Sequence, residues 1–388
     1  MIRSLVRRPS RVRSPARRGG KLAGALLAVL VSCVAGASPG AAQQPQCRFP
    51  GPFNRIGVPI HHAAGGGPLS PLQIVADPSV VRLGPGQYRM WFTNADSRQR
   101  TGIAQADSTD GIAFTPWRNP QLRDPVMDLA MVPPASDWDG PGAETANVLR
   151  GPDGVWRMYY TGNRPPVGSV TFAIGLATSP DGVRWTRRAK PVLEPESDWE
   201  RPICTNAANP ATCRTGGVLE PSVLFDPALG RYRMWYVALG EPADSFRSFR
   251  IGHATSVDGI TWERTKQPVF ALGPPGAWDE MWTSHVNVVP DPKRGFHMFY
   301  FGSATADYRE GIEIQRGAIG HAYSPDGLNW VRNPANPILK PRAGGPDAWS
   351  AGGPTALIED GKVRLWYFAS PTGGLASQVI LAEAKCGP

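Results

Sequence analysis

The sequence contains no Gly-x-Gly-x-x-Gly or P-loop fingerprint, no Cys/His cluster at metal-ligand spacing and no nucleophile elbow. Nucleotide-dependent and redox chemistry therefore have no foothold in it. A membrane-crossing run is missing too. The apolar stretch at residues 22–31 falls short of the roughly 20 residues that a bilayer-spanning helix needs. Eight basic residues and no acidic one precede it (Arg3 to Lys21), and small residues follow around Ala35, Ala37, Ala41 and Ala42. That is the order of a secretory signal. Residues 1–42 are expected to be a signal peptide and short leader, residues 43–388 a single folded domain, and the protein to be secreted or periplasmic. Leu30-Val31-Ser32-Cys33 also fits a lipoprotein cleavage site, which would lipidate Cys33 and attach the chain to a membrane.

Charge and cysteine are both scarce once the leader is set aside. The formal charge is +9 with eight of the positives in the leader, so the remainder is close to neutral. It carries no basic stripe, and no nucleic-acid partner is expected. Four cysteines remain: Cys47, Cys204, Cys213 and Cys386. An even number in an exported chain reads as disulfides. Cys204 and Cys213 are close enough to staple one loop, whereas Cys47 and Cys386 lie at the two extremes and would join the chain ends.

What the sequence has is repetition. An aromatic hexamer occurs five times: Tyr88-Arg-Met-Trp-Phe-Thr93, Trp156-Arg-Met-Tyr-Tyr-Thr161, Tyr232-Arg-Met-Trp-Tyr-Val237, Phe296-His-Met-Phe-Tyr-Phe301 and Val363-Arg-Leu-Trp-Tyr-Phe368. Runs of this kind belong to strands buried on both faces. About a dozen residues before each lies a shorter strand, opening at Asp77, Thr145, Glu220, His285 and Gly353. After the hexamer a third strand ends in Ser-x-Asp-Gly, at Ser108, Ser179, Ser256 and Ser324. Asp-Gly suits a tight turn because glycine accepts positive φ and the aspartate caps it. An aromatic residue (Phe114, Trp185, Trp262, Trp330) then opens a fourth strand.

Four antiparallel strands repeated five times predict an all-β fold, a five-bladed β-propeller whose radial packing leaves only short edges. The fifth unit ends after its third strand. Phe53-Asn-Arg-Ile-Gly-Val-Pro-Ile60 resembles the segments that follow the other turns, such as Trp185-Thr-Arg-Arg-Ala-Lys-Pro-Val192. The N-terminal strand is therefore expected to complete the last blade, with a Cys47–Cys386 disulfide locking the closure.

In a propeller the innermost strands line the central channel, and their opening residues converge. Here those residues differ on a shared frame: Asp-Pro-Ser-Val at 77 and Glu-Pro-Ser-Val at 220. Asp77 and Glu220, with Glu144 beside Thr145, are candidate catalytic carboxylates. Two carboxyl groups whose environments push their pKa values apart can serve as base and acid for glycosidic cleavage. His285, Thr145, Asn147 and Asn287 are candidate substrate contacts near the same mouth. Trp282 has no counterpart in the other copies and is a candidate sugar-stacking platform. Trp138, Trp199, Trp278 and Trp349 recur once per unit and read as packing residues, as His253 and His321 do.

The Asp-Pro and Glu-Pro strands, the Ser-x-Asp-Gly-x-x-Trp turns and the five repeats resemble the five-bladed glycoside hydrolases, above all family 43 and the related levanase/invertase-like and mannoside-phosphorylase families. The likeness covers residues 53–386 as architecture. It implies that Asp77 is the general base and Glu220 the general acid, that the substrate is a carbohydrate (arabinofuranosyl or xylosyl units among the candidates), and that His285 matches an axial histidine able to hold a water or a Ca2+ ion. No cofactor is required. Where family 43 has an aspartate on the second blade, this chain has Thr145, and Glu144 is the available substitute. Two alternatives stand beside a hydrolase: a non-catalytic glycan-binding propeller and a glycoside phosphorylase. A monomer is expected.

Overall fold

The computed structural model describes residues 49–60, 74–95, 101–117, 129–164, 171–201, 216–240, 249–291, 295–304, 308–309, 312–313, 316–372 and 377–386. All fall in the unit Gln44–Pro388. The expected signal and leader, Cys33, Cys47, Cys204 and Cys213 lie outside the described residues.

Among the described residues the protein is all-β apart from one 3₁₀ turn, Asp198–Glu200. The strands form antiparallel meanders in the order the repeats predict. The first unit comprises Ala76–Gly84, Gln87–Ala95, Thr101–Ser108 and Thr115–Pro116; the second Gly142–Arg150, Trp156–Arg164, Thr171–Ser179 and Thr186–Arg187. The third comprises Gly216–Asp226, Arg231–Leu239, Phe249–Ser256 and Glu263–Arg264; the fourth Trp282–Pro290, Phe296–Ser303, Ala318–Ser324 and Val331–Arg332. The last comprises Ser350–Glu359, Lys362–Ser370 and Gln378–Lys385, and its outer strand is the N-terminal Asn54–Ile60.

The register supports that last assignment. Arg187 faces Ala177, Arg264 faces Ala254, Arg332 faces Ala322 and Arg55 faces Ala382. Each arginine reaches a buried acid that also accepts a hexamer tyrosine hydroxyl. Tyr160 donates to Asp139 at 2.7 Å, Tyr236 to Glu200 at 2.6 Å, Tyr300 to Asp279 at 2.9 Å and Tyr367 to Asp347 at 3.0 Å. The N-terminal strand thus occupies the same place in the fifth unit that the C-terminal strand of a repeat occupies elsewhere.

The core lies between units rather than within them. One buried cluster joins the first unit's Met90 and Phe92 to Trp366 and Leu381 of the fifth, and the other four each join consecutive units. The Trp235 indole donates to Gly327 O at 2.8 Å and the Trp366 indole to Gly111 O at 2.9 Å. One unit's hexamer thereby grips the next unit's Ser-x-Asp-Gly turn, and the fifth grips the first. Those turns form as expected. Ser108 Oγ accepts the Gly111 N–H at 2.8 Å, Asp110 accepts the next two amides, and Gly111 has φ 71°. Backbone ladders do not close with the packing: the first three units share one sheet through parallel bridges, while the fourth and fifth are separate four-stranded sheets.

Candidate active site

Asp77, Thr145, Glu220, His285 and Gly353 share one backbone state, with φ of 51°, 51°, 52°, 46° and 51°. Each sits in a bulge. Strand register slips between Ala76 and Ser79, Glu144 and Asn147, Leu219 and Ser222, Ser284 and Asn287, and Gly352 and Thr355. A left-handed residue followed by Pro, Ala or Val turns the opening side chain out of the ladder. For four non-glycine residues the conformation costs about 1–2 kcal/mol each, strain of the kind that collects at functional sites.

The five openings line one narrow pocket of about 30 Å³, together with the residue that follows each of them and, in every unit but the third, the residue after that. His285 stands between the carboxylates. Its Nε2 is 3.4 Å from Asp77 Oδ1 and 3.5 Å from Glu220 Oε1. Those two oxygens can therefore be no more than about 7 Å apart, a bound that admits both the roughly 5 Å of a retaining pair and the lower end of the roughly 6.5–9.5 Å of an inverting one. The imidazole is flanked edge-on by Phe301 and Phe368, with ring centroids 5.9 and 5.5 Å away. Gly353 leaves space for Asp77: a Cβ there would lie 2.8 Å from Asp77 Oδ1. That oxygen is buried and makes no hydrogen bond among the described residues.

Glu220 is 8% exposed. Burial pushes its pKa up, the neighbouring His285 ring and backbone amide pull it back, and the charges of Asp77 and Glu144 add to the rise. A carboxyl group raised by burial beside a second carboxyl group is the arrangement that separates acid from base.

The other predicted residues divide. Thr145 lines the pocket, and its hydroxyl hydrogen-bonds the Thr161 hydroxyl. Asn147 and Asn287 also line it, but their carboxamide oxygens are committed to the next unit, accepting the amides of Val223 at 2.9 Å and Ala356 at 3.0 Å. Ser79 and Ser222 do the same for Val148 and Val288. Glu144 is half-buried next to the pocket and is not part of its described wall. Trp282 is not on that wall either. It is 6% exposed and stacked on Phe249 at 4.2 Å, because its strand opens against the third strand of the preceding unit. Trp138 and Trp199 stack on Tyr160 and Tyr236, filling space left by Gly162 and Gly252.

Two features escape a motif reading. Thr93 and Thr161, at the ends of their hexamers, accept the left-handed amides of Thr145 and Glu220 at 2.9 and 2.7 Å; the Thr, Thr, Val, Phe, Phe series at that position was the available signal. The acid–tyrosine–arginine groups were signalled by arginine recurring in the short outer strands. In the fifth unit the acid is Asp347, two positions before Trp349, not the neighbouring Ser350.

The residues at the pocket offer a calcium ion little: Glu220 Oε2 already accepts the His285 amide, Glu220 Oε1 and Asp77 Oδ1 face the imidazole Nε2, and no group of three or more acids, histidines or cysteines among the described residues is arranged to hold a metal.

No protein-family model matches the chain. An uncharacterized Mycobacterium tuberculosis protein, Rv1502 of strain H37Rv, is 30% identical over 129 residues, 32% of this chain. That segment spans 36% of the relative, so the chain covers about a third of the length of the curated proteins it matches. Solved structures agree over nearly the whole fold. BT0996, solved as a complex with RGII, superposes with a TM-score of 0.63 at 19% identity, covering 85% of this chain and 92% of that one. A thermostable family-43 glycoside hydrolase gives 0.59 at 15% identity (81% and 94%). A member of the GH130 family of mannoside phosphorylases, in which some glycoside hydrolases target β-1,2 mannosidic linkages in Candida mannan, gives 0.56 at 18% identity (81% and 87%). The chain therefore has the fold of these propeller glycosidases.

Proposed function

We propose that the chain is an exported glycoside hydrolase built on a five-bladed β-propeller, with Glu220 as general acid and Asp77 as general base. The reading rests on one arrangement: two carboxylates from equivalent left-handed openings meet across His285 in a single pocket. Glu220, whose pKa burial pushes up, would give its proton to the leaving glycosidic oxygen as the C1–O bond breaks. Asp77, whose Oδ1 makes no hydrogen bond among the described residues, would take a proton from the water that adds to C1. The wall carries no lysine or arginine among the described residues, which favours hydrolysis over phosphorolysis, a reaction that needs a cationic phosphate site.

Ring closure by a Cys47–Cys386 disulfide belongs to the same proposal. It is supported by the bridge between Pro50 and Cys386 and by the disulfide-bonded state of Cys386. RGII fragments, β-1,2-linked mannosides and arabinofuranosides form the first substrate panel. A glycan-binding module without catalysis is the second reading, favoured by Thr145, whose hydroxyl is turned to Thr161 where a third carboxylate would act.

Incubating wild type, Asp77→Asn and Glu220→Gln with that panel separates the two. Hydrolysis by wild type that falls at least about 10²-fold in both variants supports the enzyme. Glycan binding with no turnover in any of the three proteins supports the module.

A further inference from the structure

The ends of the hexamers form a series around the pocket. Thr93, Thr161, Val237, Phe301 and Phe368 each pair with the residue just before a left-handed opening, respectively Ala76, Glu144, Leu219, Ser284 and Gly352. The register is the same in every unit, so each side chain holds the same place relative to the next unit's opening.

A left-handed residue turns its N–H out of its own ladder, and a buried N–H needs an acceptor from elsewhere. Thr93 Oγ1 supplies one for the Thr145 amide at 2.9 Å, and Thr161 Oγ1 one for the Glu220 amide at 2.7 Å. Val237 comes next in the series and has no oxygen. It is fully buried in the core that also contains Val286, the neighbour of His285. The His285 N–H goes instead to Glu220 Oε2.

We infer that Val237 is a positioning residue for Glu220: by withholding an acceptor, it hands the His285 amide to one carboxylate oxygen and leaves the other, Oε1, facing the pocket. This rests on the reading of Glu220 as the acid. The bond fixes the carboxylate plane and stabilises the ionised form, limiting how far burial can raise the group. The charged groups facing Glu220 are the His285 ring on the fourth inner strand, Asp77 on the first and Glu144 on the second, and none of them is altered by a change at position 237.

The test is Val237→Thr, close in volume to valine and bearing the acceptor that the preceding units have. Glu220 is followed by 13C NMR of glutamate-labelled protein, with Val237→Ile as the apolar control. The Glu220 midpoint is expected to rise by about one pH unit in Val237→Thr and to stay in place in Val237→Ile. Val237→Ser, smaller and also an acceptor, serves if the threonine variant does not fold. In wild type the His285 amide proton shift is expected to follow the Glu220 titration. A folded acceptor variant with an unmoved midpoint, or a wild-type amide indifferent to it, overturns the inference. If the midpoint moves while the alkaline limb of hydrolysis stays put, the inference stands and the acid assignment fails.

Discussion

Arg55 and Asp347 lie 292 positions apart and form a salt bridge at the outer edge of the last unit, where Arg55 Nε donates to Asp347 Oδ2 at 2.8 Å. Asp347 is fully buried and also accepts the Tyr367 hydroxyl. The pair ties the N-terminal strand to the C-terminal unit in the way Arg187 and Asp139 tie the second unit together.

Removing one partner of such a pair leaves a buried charge uncompensated. Arg55→Met is expected to cost about 3–5 kcal/mol in denaturant unfolding. Arg55→Met with Asp347→Leu should recover part of that loss. An Arg55→Met protein as stable as wild type would mean that the N-terminal strand does not hold the last unit closed.

Gly353 is the space in which Asp77 sits. A Cβ at this position would lie 2.6 Å from Phe368 Cδ1 and 2.8 Å from Asp77 Oδ1, on backbone at φ 51°. Gly353→Ala is expected to displace the Asp77 carboxylate and lower kcat/KM about 10²-fold, with only about 1–2 kcal/mol of stability lost. Kinetics and thermal unfolding on the same sample separate the two effects.

Glu220 holds a raised pKa in the fold, so the native state binds more protons than the unfolded chain. Stability must then fall as pH rises through the unfolded value near 4.3 toward the folded one. Glu220→Gln removes that cost and is expected to melt a few degrees above wild type at pH 7 and no higher at pH 4. Equal melting shifts at both pH values would mean that burial of the charge is not the cause.

Three histidines act in the opposite sense. His253 is held near 3, and His297 and His321 are lowered, each chiefly by burial. They fold neutral, so their contribution is complete above the unfolded value of about 6.5 and is lost as pH falls toward the folded values, by up to about 1.4 kcal/mol per histidine per pH unit. Stability measured from pH 7 to 4 should fall, and His253→Gln should make the fall shallower.

The repeats made much of this legible in advance. The hexamers mark strands buried on both faces because each core lies between two units, and Phe53–Ile60 already shows the outer-strand pattern through Arg55. The openings at Asp77, Thr145, Glu220, His285 and Gly353 were readable as equivalent because the frame around them repeats. Their left-handed backbone was not, since four of them are residues for which that state is unfavourable. Asn147 and Asn287 look like ligand contacts in a sequence, yet their oxygens hold the next unit's amides, a demand visible only when neighbouring units are packed. Trp282 is unique among the copies because it fills a stack with Phe249, so uniqueness signalled packing there.

The division of labour between Asp77 and Glu220 is tested most directly by varying the leaving group. With a substrate found, Glu220→Gln should lose at least about 10²-fold on the natural glycoside but retain most of its rate on the dinitrophenyl glycoside of the same sugar, which departs without a proton. Asp77→Asn should lose heavily on both. Equal losses for the two variants on both leaving groups would contradict the acid–base assignment.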